Sequence, residues 1–160
     1  MATDRPAPGD EHETFRAYLD AVGLNAMAAA AAVGLQPSEW YAFSQLALAG
    51  SLTSGELSTL TGLTTGATTR LIDRLERAGF VRRTPDPADR RKVVVAPVPE
   101  ALPRILAAVT PTRHHLARVL DRYTPEQRAV LFDYFTHAAP AFREATEELR
   151  RAAPDSTAPR

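Results

Sequence analysis

At 160 residues, 44% of them apolar, the chain is long enough for one domain with a continuous hydrophobic core. The lack of cysteine excludes disulfides, thiolate zinc sites and thiol oxidation as a signal, while no apolar run approaches the ~18 residues of a membrane span and the opening MATDRPAPGD is polar, which predicts a cytoplasmic protein. Nineteen basic and nineteen acidic residues cancel, yet Met1–Leu48 carries two Arg against six acids and Thr64–Lys92 carries eight Arg and Lys against four acids, a concentration suited to facing phosphates.

Residues 1–10 and 151–160, rich in Pro, Ala, Asp and Thr, are expected to be flexible tails. Phe15, Tyr18, Leu19, Val22, Ala26 and Val33 then recur at helical spacing and predict a first helix over roughly 11–33. Its alanine run, Ala28 to Ala32, lets a second backbone approach closely. Gly34 ends it. Pro37 opens a second helix whose face is Trp40, Phe43, Leu46 and Ala47, closed at Gly50. Thr53 and Glu56 have capping-box spacing and start a short third helix with Leu57 and Leu60 inward and Gly62 at its end. Thr64 can cap a fourth, with Thr68, Leu71, Ile72 and Leu75 as its core face and Gly79 as its stop. Two short helices joined by a Gly-containing turn make a helix-turn-helix candidate.

Beyond Gly79 the period changes, and Phe80–Thr84 and Lys92–Ala96 read as two strands of a hairpin around PDPAD. The remainder is helical. Leu102, Ile105, Leu106 and Val109, then Leu116, Val119 and Leu120 mark one helix; Thr124 and Gln127 form a second capping box, and Val130, Leu131, Tyr134, Phe135, Ala138 and Phe142 mark the last. Pro111 falls inside the first of these two, where it removes a ladder N–H, so a kink or break is expected there. The fold class expected is mainly α with a small β-hairpin. A winged helix-turn-helix DNA-binding lobe (36–97) and dimerisation helices (11–33 and 99–149) would form a single domain over 11–150. The apolar faces of those terminal helices are too extensive for one chain to bury, which predicts a homodimer.

A recognition helix needs short polar or basic side chains outward at its N-terminal end. The fourth helix leaves Thr65, Gly66, Ala67, Thr69, Arg70, Asp73, Arg74 and Arg77 outward. Arg70 suits guanine O6 and N7, Ala67 a thymine methyl group, Thr69 a base edge, and Arg74 and Arg77 phosphates. Taken alone, such a face is as readily a solvated charged surface. The hairpin tips the balance, with Arg82 and Arg83 on its first strand, Arg90, Arg91 and Lys92 on its second, and Asp86 and Asp89 in the turn. An Arg at a hairpin tip fits the narrow minor groove, although charged edges also serve simply to block strand-to-strand aggregation.

The stretch LTSGELSTLTGLTTGATTRLIDRLERAGFVRRTPDPADRRKVVVAPVPE, above all RLIDRLERAGFVRR and the DPADRR turn, resembles the helix-turn-helix and wing of the multiple antibiotic resistance regulator (MarR) family. The order of elements, two helices before this lobe and two after, resembles that family too. The resemblance implies a homodimeric repressor on a palindromic duplex DNA operator, often with a small-molecule effector held between the lobes. It also implies that Arg91 enters the minor groove and that Asp89 holds it. One departure is the start of the fifth helix, where a Leu-Thr-Pro-x-Gly type sequence is replaced by Pro97, Val98, Pro99, Glu100 and Ala101; losing the Thr cap costs about 1 kcal/mol.

Trp40 and Phe43 are candidates to line a pocket for a small apolar or aromatic effector, against the more ordinary role of core side chains. His114 and His115 are adjacent, about 100° apart on a helix, and His137 lies on the last helix, so no metal site is expected. No cofactor is expected either. No phosphate loop, nucleophilic cysteine or acid and base pair supports an enzyme. The remaining competitor is a winged-helix protein-interaction module without sequence-specific DNA binding, against which Arg70, Arg74, Arg90 and Arg91 argue.

Overall fold

A computed structural model of the chain describes residues 8–152. The expected tails at 1–7 and 153–160 therefore lie outside the described residues. Six α-helices and three short strands follow in the order α1 (Pro8–Ala32), α2 (Pro37–Ala49), β1 (Leu52–Thr53), α3 (Ser54–Thr61), α4 (Thr65–Arg77), β2 (Val81–Pro85), β3 (Val93–Pro97), α5 (Leu102–Leu120) and α6 (Pro125–Ala152). The first helix starts at Pro8, earlier than the residue 10 at which the tail was expected to end. Proline is tolerated in a first turn, and Asp10 and Glu11 there face the positive end of the helix dipole. At the other end α6 runs to Ala152, two residues into the expected tail.

Close contacts divide the chain into two compact units, one up to Thr112 and one from Arg113. In the first, Phe43, Leu46, Leu57, Leu71, Ile72, Leu75, Phe80 and Val95 form the buried centre, with Phe43 edge-on to Phe80 at 5.8 Å between ring centroids. All four expected core residues of α4 are buried, and burial of each large aliphatic among them contributes about 1.5–3 kcal/mol. Ala47, expected on the inward face of α2, is exposed; the turn that faces the core carries Glu39, Ala42, Phe43 and Leu46 instead.

The strands make one antiparallel sheet in the order β1-β3-β2, with Leu52 opposite Val95 and Arg83 also opposite Val95 from the other side. The expected hairpin thus has a third strand, β1, two residues long and invisible to any periodicity argument. Both capping boxes form: Glu56 N–H donates to Thr53 Oγ1 at 3.2 Å while the Glu56 carboxylate accepts from the Thr53 N–H at 2.7 Å, and Thr124 and Gln127 exchange bonds in the same way. Gly79 sits at φ +75°, in the region that other residues enter only with strain, and reverses the chain from α4 into β2.

A single turn of 3-10 helix, Pro99–Ala101, leads into α5, and Val98 before it offers no side-chain cap. The expected break at Pro111 does not occur, and α5 continues through it. The carbonyl left without its N–H donor belongs to Ala107, which is exposed, so water can satisfy it at little cost. Among the described residues, no single helix is long and apolar enough to cross a membrane.

Candidate nucleic-acid interface

The helix-turn-helix is α3 and α4. Thr64 caps α4, its hydroxyl accepting from the Ala67 N–H at 3.3 Å, and the inward row Thr68, Leu71, Ile72 and Leu75 fixes the helix on the core. Thr65, Gly66, Thr69 and Arg70 are consequently exposed, while Ala67 is half-buried. Thr69 donates its hydroxyl to the Thr65 carbonyl at 3.0 Å, leaving its oxygen free only to accept. Arg70 folds back over the first turn, its Nη1 lying 3.8 Å from where a Cβ on Gly66 would stand. A Cβ at position 66 would make only ordinary van der Waals contact with that guanidinium.

The charged residues farther along α4 face other protein groups. Arg74 donates through Nε to Oε1 of Glu39 on α2, and the Glu39 side chain is only 6% exposed. Glu39 Oε2 meanwhile accepts from the Gln36 N–H at 2.8 Å, closing a capping box at the start of α2. Asp73 and Glu76, both on α4, converge on Arg83 of β2. Nη2 of Arg83 donates to Asp73 at 2.5 Å, Nη1 donates to Glu76, and the Arg83 backbone N–H donates to the same Glu76 at 3.1 Å. These bonds tie the wing strand to the helix. They also give the two carboxylates one shared cation, and they raise the Arg83 pKa against the opposing effect of its partial burial.

Arg77 Nε donates to the Asp73 carbonyl at 3.2 Å. Below α4, Arg104 of α5 donates to the carbonyls of Ala78 at 3.1 Å and Val33 at 3.2 Å, and its guanidinium lies 4.2 Å from the centre of the Phe80 ring. Neither Glu39 nor Arg104 was singled out from the sequence. Glu39 had a local signal, three residues after Gln36 with Pro37 between them, but Arg104 had none.

The wing turn is built from side-chain to backbone bonds. Asp86 Oδ1 accepts from the Ala88 N–H at 2.8 Å, Asp89 Oδ1 accepts from the Arg91 N–H at 3.1 Å, and the Asp86 N–H closes the loop on the Lys92 carbonyl at 2.9 Å. Asp89 therefore holds the backbone of Arg91 and makes no ion pair with its guanidinium. Among the described residues, the side chains of Arg70, Arg82, Arg90, Arg91 and Lys92 are exposed and make no hydrogen bond or ion pair. Arg74, by contrast, is held by Glu39 and still half-exposed.

Of the two aromatic candidates, Phe43 is sealed in the core at 2% exposure and Trp40 is half-buried against its edge. Each unit leaves apolar side chains uncovered. In the first these include Phe15, Tyr18, Val22 and Met27 of α1; in the second they include Leu116, Val119, Val130, Phe132, Tyr134 and Phe142, and neither α5 nor α6 buries a whole residue.

A model of the MarR family matches residues 33–92. The HTH-type transcriptional regulator YcgE of Bacillus subtilis is 39% identical over 124 residues, 78% of this chain and 80% of that protein. A MarR family protein from Bacillus stearothermophilus has a similar structure, with a TM-score of 0.59 at 26% identity over 88% of this chain and 94% of that one. The transcriptional regulator Tm0710 of Thermotoga maritima shares the fold, with a TM-score of 0.61 at 22% identity over 87% of this chain and 98% of its own.

Proposed function

The chain belongs to the MarR family of HTH-type transcriptional regulators, and from that premise we propose that it is a cytoplasmic repressor that binds a palindromic duplex operator as a homodimer. The observation that carries this reading is the placement of unpartnered cations. Arg70 stands on the first turns of a helix whose opposite face is locked in the core, and Arg90, Arg91 and Lys92 stand around a wing turn whose backbone is fixed by Asp86 and Asp89. In this docking α4 enters the major groove, where Thr65, Gly66, Ala67 and Thr69 approach the bases and Arg70 reads guanine. The wing tip enters the minor groove through Arg91, with Arg90 on the adjoining phosphates.

The dimerisation helices, 11–33 and 99–149, supply the second contact, since the uncovered apolar side chains on α1, α5 and α6 need a partner. A small apolar effector would act through Trp40 rather than Phe43, whose ring has no open face. Trp40 is the only tryptophan, so its fluorescence reports such a ligand.

Binding of Arg70→Ala and Arg91→Ala to a duplex selected by the parent protein from a random pool, and to its single-base variants, tests the reading. Arg70→Ala is expected to cost about 1–3 kcal/mol and to relax preference at one position of each half-site. Arg91→Ala is expected to weaken binding, leave the core preference intact and lower the salt slope by about 0.9 per lost phosphate contact. If both variants bind like the parent, the docking is wrong and the protein-interaction module becomes the better reading.

A further inference from the structure

Glu39 is the only charged side chain in the buried core of the described residues, and both of its oxygens are occupied. Burying an ion pair is a poor device for stability, because the desolvation of both charges offsets their attraction and a packed apolar pair of similar volume serves as well or better. What such a pair supplies is orientation. Here the bond is made through Nε of Arg74, one edge of the guanidinium fork, while the side chain as a whole is 47% exposed. The Nη1 and Nη2 groups make no bond among the described residues. The anchor is itself rigid, since Glu39 is pinned by the Gln36 N–H and sits in the first turn of α2, where the helix dipole favours a carboxylate.

We infer that Glu39 is a positioning residue for duplex binding: it holds Arg74 by Nε so that Nη1 and Nη2 are preset for a backbone phosphate one helical turn beyond Arg70. Glu39 touches no DNA in this arrangement and acts only through Arg74. The inference rests on the DNA-binding reading above and adds to it a buried carboxylate on α2 as part of the binding machinery. Without that carboxylate the Arg74 side chain samples several rotamers and must be ordered when DNA arrives, which lowers affinity by about two- to tenfold per half-site.

The test is a double-mutant cycle of Glu39→Gln and Arg74→Gln, read on the selected duplex and on a scrambled duplex of equal length across a range of salt, with the thermal midpoint of every variant recorded. Glu39→Gln keeps the length of the side chain and an acceptor for the Gln36 N–H, but it cannot also accept from Arg74. Arg74→Gln still donates to Glu39, which avoids leaving that carboxylate buried without a partner, but it has neither charge nor fork. Glu39→Gln alone is expected to weaken both duplexes by the same factor, about four- to hundredfold for a dimer that loses about two- to tenfold at each half-site, with an unchanged salt slope, because the Arg74 charge remains. In the Arg74→Gln background it is expected to change affinity by less than about twofold.

Binding by Glu39→Gln at parental strength overturns the inference while leaving the DNA-binding reading intact. So does an equal loss in both backgrounds that follows the thermal midpoint, which marks a purely structural role. A parent protein that selects no duplex overturns both.

Discussion

Arg104→Met isolates the contribution of one side chain to the frame that carries the recognition helix. The guanidinium donates to two carbonyls at helix ends, Val33 after α1 and Ala78 after α4, and covers the Phe80 ring. A hydrogen bond from a charged donor contributes about 1.5–3 kcal/mol when shielded. Arg104 is exposed, so about 1 kcal/mol for each is the fitting figure. The contact over Phe80 adds about 0.5–1 kcal/mol. Methionine retains the packing of the stem, so the expected loss is about 2–3 kcal/mol, a fall of about 5–10 °C in thermal midpoint for a chain of this length. Circular dichroism melts of parent, Arg104→Met and Arg104→Lys at one fixed protein concentration measure it. Lysine keeps the charge near both helix ends but cannot bridge two carbonyls and lie flat on Phe80, so it is expected to recover less than half. A midpoint for Arg104→Met within about 1 °C of the parent would refute the assignment. Full recovery by lysine would show that charge alone matters and that the fork geometry does not.

Arg83→Met should weaken DNA binding although Arg83 is turned towards α4, because it strips Asp73 and Glu76 of their shared cation on the helix that the proposed docking sets against phosphates; adding Asp73→Asn and Glu76→Gln should restore most of the affinity, and failure to do so would place Arg83 on the DNA itself. The Thr53 backbone N–H, and then its hydroxyl, hold the Glu56 carboxyl below its ordinary value of 4.5, so the capping box contributes stability above that pH and loses it as the pH falls through the lowered folded value. The melting temperature of Glu56→Gln should therefore fall less steeply than the parent's from about pH 6 to about pH 3, and parallel curves would contradict the assignment. Light scattering at micromolar concentration should give a dimer, and a helical monomer would remove the reason offered for the uncovered faces of α1, α5 and α6.

What could be read from the chain alone was whatever is decided within about one or two helical turns. Pro37, Gly62, Gly79 and the two capping boxes act on their immediate neighbours, so helix ends followed from them. The inward row of α4 followed because its apolar stripe and basic face are sharply separated. The exposed cations of the wing tip followed because a short turn between two strands leaves charged side chains nowhere else to go. The internal partners did not follow. Glu39 and Arg74 are 35 residues apart, and Arg104 reaches Val33 from a separation of 71. No local pattern encodes such pairs. The strand β1 escaped for a different reason: two residues carry no periodicity, and only pairing with Val94 and Val95 makes them a strand. The break at Pro111, one of the two outcomes expected there, does not occur because its cost depends on whether the orphaned carbonyl is buried, which is a property of the fold.

These internal pairs also resolve how a chain with no net charge can serve a polyanion. The relevant quantity is the charge that a phosphate meets within about one Debye length, about 8–10 Å in physiological salt, and not the sum over the molecule. Within Thr64–Lys92 the acids are all occupied: Asp73 and Glu76 by Arg83, Asp86 and Asp89 by backbone N–H groups of the wing turn. Arg74 is matched by Glu39 from α2, which lies outside the stretch. The cations left without an acid, Arg70, Arg77, Arg82, Arg90, Arg91 and Lys92, lie on α4 and on the wing; Arg77 spends one donor on the Asp73 carbonyl, which leaves its charge unmatched. An acid that accepts from a backbone N–H still carries its charge, but one of its oxygens is turned to the backbone of the wing turn. In the proposed docking, ion pairing inside the lobe thus lowers the repulsion that a phosphate meets as well as fixing shape. Exchanging Arg83 for a neutral residue should consequently damage binding more than it damages stability.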